Sequence, residues 1–125
     1  MSPGPWARAG FLFLVVAIWL STPSFSPAHA VLVESSPALK SSVSGPDVSL
    51  KLRFNVRVDA ARSRLTLVDP EGISQALEIS KQDSPEIISA EAKGLHLGLY
   101  RIRWQVLASD GHITRGEIPF TVVKP

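Results

Sequence analysis

A chain of 125 residues has room for one packed domain and not for two. It has no cysteine and its single methionine is Met1, which excludes disulfides, thiolate metal sites and thioether ligands in the folded part. With 13 basic against 11 acidic side chains the charge is close to balanced, which argues against a surface built to hold nucleic acid.

Residues 11–20, FLFLVVAIWL, are apolar throughout. Arg8 precedes them and the small, proline-rich stretch STPSFSPAHA follows. A positive start, a short apolar run and a small-residue exit make up a secretory signal peptide. The run is about half of the roughly 20 residues that a membrane span needs, so a leader is expected rather than an anchor. Residues 1–28 are expected to be removed, leaving a soluble exported domain over 29–125. Two positions satisfy the small-x-small rule. Cleavage after Ser26-Pro27-Ala28 releases a chain that starts at His29, whereas cleavage after Ala28-His29-Ala30 starts it at Val31 and discards the histidine. Composition leaves both open.

From there on the apolar residues recur with period two, the mark of half-buried strands. Residues 48–54, VSLKLRF, place Val48, Leu50, Leu52 and Phe54 on one face. Residues 100–106, YRIRWQV, do the same with Tyr100, Ile102, Trp104 and Val106, and residues 117–123 with Ile118, Phe120 and Val122. Weaker strands are expected at 30–34, 64–68, 74–79 and 86–90. Turn residues separate these runs: Gly45-Pro46-Asp47, Asp69-Pro70-Glu71-Gly72, Asp83-Ser84-Pro85, the pair Gly94 and Gly98, and Ser109-Asp110-Gly111-His112. About seven short strands without a helical stretch predict an all-β fold, an immunoglobulin-like Greek-key sandwich or barrel.

The chain has three histidines, His29, His96 and His112. Asp110 stands two residues before His112, and in an extended backbone that spacing points both side chains to the same side. Asp-Gly is also ordinary turn chemistry, so Asp110-Gly111-His112 alone is a weak sign of a metal. A histidine at a free N-terminus strengthens it, because His29 would offer an α-amine and an imidazole together. With His112 and Asp110 that makes three nitrogens and one oxygen, a donor set suited to Cu(II). Otherwise His29 is a solvated terminal residue. His96 is read as an exposed loop histidine, with a second weak site as the alternative. Tyr100 and Trp104 are read as core. Arg101, Arg103 and Arg115 are read as a solvated sheet face.

His29-Ala30-Val31-Leu32, Ser35-Ser36-Pro37-Ala38, the Val48–Phe54 alternation and the C-terminal run from Leu97-Gly98 to Phe120-Thr121-Val122 follow one another in an order that resembles the CopC-type periplasmic copper-binding proteins. Ser109-Asp110-Gly111-His112 after the Tyr100–Trp104 strand is the most specific part. The resemblance implies a periplasmic Cu(II)-binding protein of copper homeostasis and resistance, a carrier or buffer and not an enzyme, with His29, Asp110 and His112 as ligands. It implies cleavage after Ala28 and an inner-membrane copper permease as partner. Two departures stand out. The methionine-rich stretch that some relatives use for Cu(I) is missing, which predicts a Cu(II)-only protein. The Ser-Glu that often follows the strand-ending phenylalanine is replaced by Asn55-Val56.

Two other functions compete. Lytic polysaccharide monooxygenases also use a histidine-first copper site. An aspartate donor would fill the position that oxygen needs there, and the chain has few aromatics to grip a polysaccharide. A metal-free immunoglobulin-like interaction module would tolerate loss of His29 or His112.

Overall fold

Val48–Phe54 behaves as its alternation demands: Val48, Leu50, Leu52 and Phe54 are buried while Ser49, Lys51 and Arg53 are exposed. The computed structural model describes residues 29–125, so the expected leader lies outside the described residues. Within them the chain forms eight strands and no helix: β1 Leu32–Ser36, β2 Ser41–Ser44, β3 Val48–Phe54, β4 Val58–Val68, β5 Ser74–Leu77, β6 Ile87–Ala92, β7 Gly98–Ala108 and β8 Ile113–Val123. They build a three-stranded sheet in the order β1-β3-β6 and a five-stranded sheet in the order β2-β8-β7-β4-β5. All pairs are antiparallel except β2 with β8.

The expected all-β sandwich is therefore present, with one strand more than the seven expected. The inward residues of both sheets meet in one core that includes Leu50, Leu52, Phe54, Tyr100, Ile102, Trp104, Ile118 and Phe120. Phe54 of one sheet meets Trp104 of the other edge to face at 5.2 Å, and Tyr100 stacks on Phe120 at 5.7 Å. Each such side chain contributes about 1.5–3 kcal/mol by leaving water. Gly116 lies opposite Trp104 in the β7–β8 ladder, where a Cβ would overlap the indole, so glycine makes room for the largest core residue.

Two elements differ from expectation. β2 is a short edge strand with one apolar side chain, Val43, and no periodic pattern to announce it. β4 starts six residues before the expected 64–68 segment. Its first half carries a bulge between Asp59 and Arg64, which destroys the alternation. Ser63 repairs the ladder there: its hydroxyl accepts from the Leu107 N–H at 3.3 Å.

Candidate metal centre

The β7–β8 hairpin closes through residues 109–112, and backbone hydrogen bonds set its shape. Ala108 N–H donates to the His112 carbonyl at 2.9 Å, and Gly111 N–H to the Ala108 carbonyl at 2.9 Å. Gly111 has φ of 88°, a left-handed conformation that glycine adopts without penalty. The His112 N–H donates to Asp110 Oδ1 at 3.0 Å, and Asp110 Oδ2 lies 3.1 Å from His112 Nδ1. The two side chains thus converge through a turn in which the aspartate binds the backbone two residues on. The extended spacing expected for them is not how they meet.

The third group comes from the other sheet. Ala30 is buried in the core, which brings the segment before β1 down onto the end of the sandwich. Val31 is held on both sides by Asn55: its N–H donates to Asn55 Oδ1 at 2.7 Å, and its carbonyl accepts from the Asn55 N–H at 3.1 Å. His29, two residues before this clamp, packs its ring edge-on against His112 with centroids 4.9 Å apart. His29, Asp110 and His112 each offer a donor atom, and these atoms lie within 4.8 Å of one another. Donors about 2.0–2.1 Å from a metal stand at most about 4.2 Å apart, so a side-chain shift of roughly half an ångström closes the set.

The electrostatics fit a cation. The His112 backbone N–H holds the Asp110 carboxyl below the usual carboxylate range, the charged forms of His112 and His29 add to this, and partial desolvation opposes it. The aspartate is therefore a ready anionic donor at neutral pH. Its side chain is 22% exposed and that of His112 48%, so the centre is open to solvent on one side. All three sequence-predicted ligands come together, in a set of nitrogen and oxygen atoms with neither thiolate nor thioether.

His96 is not brought to this centre. It precedes β7 at the far end of the strand, its Nε2 3.2 Å from Glu71 Oε2 and its carbonyl accepting the Tyr100 hydroxyl at 2.9 Å. Tyr100 and Trp104 are core, as expected. Asn55 is the residue that sequence reasoning missed: it was noted only as a departure, while the structure makes it the clamp on the chain start. Val56, in place of an acidic side chain, is half-buried against the core.

The profile of the CopC domain family matches residues 32–123. This chain belongs to the CopC family. The match contains Asp110 and His112 and begins three residues after His29. The copper transport protein CutJ of Bacillus subtilis (strain 168) is 29% identical over 121 residues, which is 94% of this chain and 22% of CutJ. The chain thus spans about a fifth of the length of that relative. Among solved structures, CopC from Methylosinus trichosporium OB3b superposes with a TM-score of 0.70 at 34% identity, covering 77% of this chain and 95% of that one. PcoC, a methionine-rich copper resistance protein from Escherichia coli, gives a TM-score of 0.64 at 25% identity over 77% of this chain and all of that one. CutJ is described as a copper transport protein and PcoC as a copper resistance protein.

Proposed function

We propose that this CopC protein is exported to the periplasm, trimmed after Ala28, and holds one Cu(II) ion as cargo through the His29 amine and imidazole, the Asp110 carboxylate and the His112 imidazole. The observation that carries this is the meeting within 4.8 Å of three donor side chains, one from the segment before β1 and two from the β7–β8 hairpin. Nitrogen and oxygen donors suit Cu(II), which also heads the divalent affinity order. The chain lacks cysteine and has no methionine after Met1, so it offers Cu(I) no soft ligands, in contrast to methionine-rich PcoC.

One carboxylate reduces the charge of the bound ion from +2 to +1 at a partly exposed site. An ion held at the surface can be taken up and released without opening the core, as a carrier or buffer in copper homeostasis and resistance requires. The recipient we propose is an inner-membrane copper permease, on the family resemblance.

The test is the intact mass of the exported protein together with a Cu(II) titration. We expect a first residue of His29 and one tightly bound equivalent. A chain starting at Val31, or no saturable binding by the His29 form, would falsify the reading.

A further inference from the structure

The four-residue hairpin that carries Asp110 and His112 joins β7 and β8, and the outward face of these strands and of β4 beside them carries Arg64, Arg101, Arg103 and Arg115. The strand register sets the pattern: Arg64, Gln105 and Arg115 form one cross-strand row, and Thr66, Arg103 and Glu117 the next. Arg101 follows Arg103 on the same face of β7. Neighbouring strands are about 4.8 Å apart, so Arg64 and Arg115 flank Gln105 at about 10 Å from each other. Glu117 is the one acidic residue among them. It accepts from Arg103 Nε at 2.9 Å and lies 3.6 Å from Arg101. Arg115 uses its Nε on Gln105 Oε1 at 2.8 Å, which leaves its terminal nitrogens directed elsewhere. Arg64, Arg103 and Arg115 line a shared groove of about 470 Å³ with Thr66, Gln105 and Glu117.

The outer face of the three-stranded sheet is different. There two basic side chains, Lys51 and Arg53, share the face with two acidic ones: Glu34 lies opposite Arg53 and 3.1 Å from it, and Glu91 lies opposite Ser49. Arg101 and Arg103 share Glu117, whereas Arg64 and Arg115 have no ion pair among the described residues, so this face carries more positive charge than it neutralises. Guanidinium groups at fixed strand positions are suited to bind carboxylates in pairs.

We propose that this face docks an acidic polypeptide segment of a partner protein, with its carboxylates between Arg64, Arg103 and Arg115. The charge imbalance calls for an anionic partner. The recess favours side chains entering a groove over a flat lipid surface. Because the arginines and the metal hairpin share β7 and β8, a partner seated here lies beside the metal centre. The proposal does not depend on the copper reading.

The test uses the exported protein and a fluorescently labelled hexaglutamate peptide, with binding followed by anisotropy. Two double variants remove the same charge: Arg64→Gln with Arg115→Gln on this face, and Lys51→Gln with Arg53→Gln on the other. We expect the first to weaken peptide binding at least about tenfold, as for the loss of charge-assisted hydrogen bonds, and the second by less than about twofold. Amide chemical shifts of the unmodified protein should move on β7 and β8 when peptide is added. Equal weakening in both variants, or no binding by the unmodified protein, would overturn the proposal. So would binding to phosphatidylglycerol-containing vesicles in preference to the peptide. A Cu(II) titration of both variants reads the metal centre separately and should match the unmodified protein.

Discussion

Two histidine–carboxylate pairs stand at opposite ends of β7, and locally they look alike. At one end His112 Nδ1 lies 3.1 Å from Asp110, and at the other His96 Nε2 lies 3.2 Å from Glu71. Eleven residues of strand separate them, about 35 Å. Both pairs are solvent-exposed. The difference is in what else arrives. At the hairpin end a third donor comes from His29, in the segment that leads into β1, and sets its ring 4.9 Å from His112. At the other end the polar neighbours are already engaged. The Tyr100 hydroxyl donates to the His96 carbonyl, and Asp69 Oδ1 accepts the N–H groups of Glu71 and Ile73. The candidate metal centre thus differs from an ordinary surface pair in that donors from distant segments converge there, which no local motif records.

The strongest way to break this comparison is to withdraw one nitrogen of His29. In the proposed form trimmed after Ala28, adding one residue before His29 turns its amine into an amide. We expect Cu(II) affinity to fall beyond the roughly 100-fold that loss of an outer supporting partner costs. A competition titration against a chromophoric chelator measures it. If the extended protein binds as tightly, the amine is not a ligand and only the His29 ring is left to set this end of β7 apart from the His96 pair. Next in size is His112→Ala, with an expected loss of about 100-fold, against less than about twofold for His96→Ala. Equal losses would place copper at both ends of β7.

A smaller effect is expected at Asn55, which touches none of the three donors but clamps Val31 on both sides. Asn55→Ala should lower Cu(II) affinity about tenfold, at the lower end of what orienting partners contribute. It should also lower Tm by a few degrees, since one side-chain hydrogen bond contributes about 1 kcal/mol and the domain is small. An unchanged affinity with a lowered Tm would make Asn55 a stability residue only.

The strands that bury every second side chain, such as Val48–Phe54 and the centres of β7 and β8, were legible because burial and spacing say the same thing there. β2 and the first half of β4 were not. An edge strand with one apolar residue and a bulged strand have no period to read. His29, Asp110 and His112 were legible as candidate donors with an unusual placement. Their convergence was not, because it depends on the turn at Gly111 and on Asn55, whose partner Val31 is 24 residues away in the chain.

Acid pH tests the aspartate side of the comparison in metal-free protein. The Asp110 carboxyl is held below its ordinary value of 3.8, chiefly by the His112 N–H. A depressed folded-state value means that the ionised carboxylate stabilises the fold above the unfolded value. That contribution is lost as pH falls through the lower, folded one. Wild type should therefore melt slightly above Asp110→Asn at pH 5 to 7, and the gap should shrink as the pH drops below about 4. A gap that stays constant through that range would mean the His112 N–H is not held by an ionised carboxylate.

The smallest effect belongs to the far end. Glu71→Gln removes the carboxylate facing His96, where both side chains are more than half exposed, at 61% and 59%. An exposed pair of this kind contributes about 0–1 kcal/mol, because water screens it and two mobile side chains must be ordered to form it. We expect Tm to stay within a few degrees of the wild type and Cu(II) binding to remain at one equivalent with unchanged affinity. The asymmetry with Asp110 is the point of the test, since each substitution removes one carboxylate from a histidine at nearly the same distance. Should Glu71→Gln weaken copper binding as Asp110→Asn does, two donors would be enough to hold the ion, and the arrival of His29 would no longer set the proposed metal centre apart from the other end of β7.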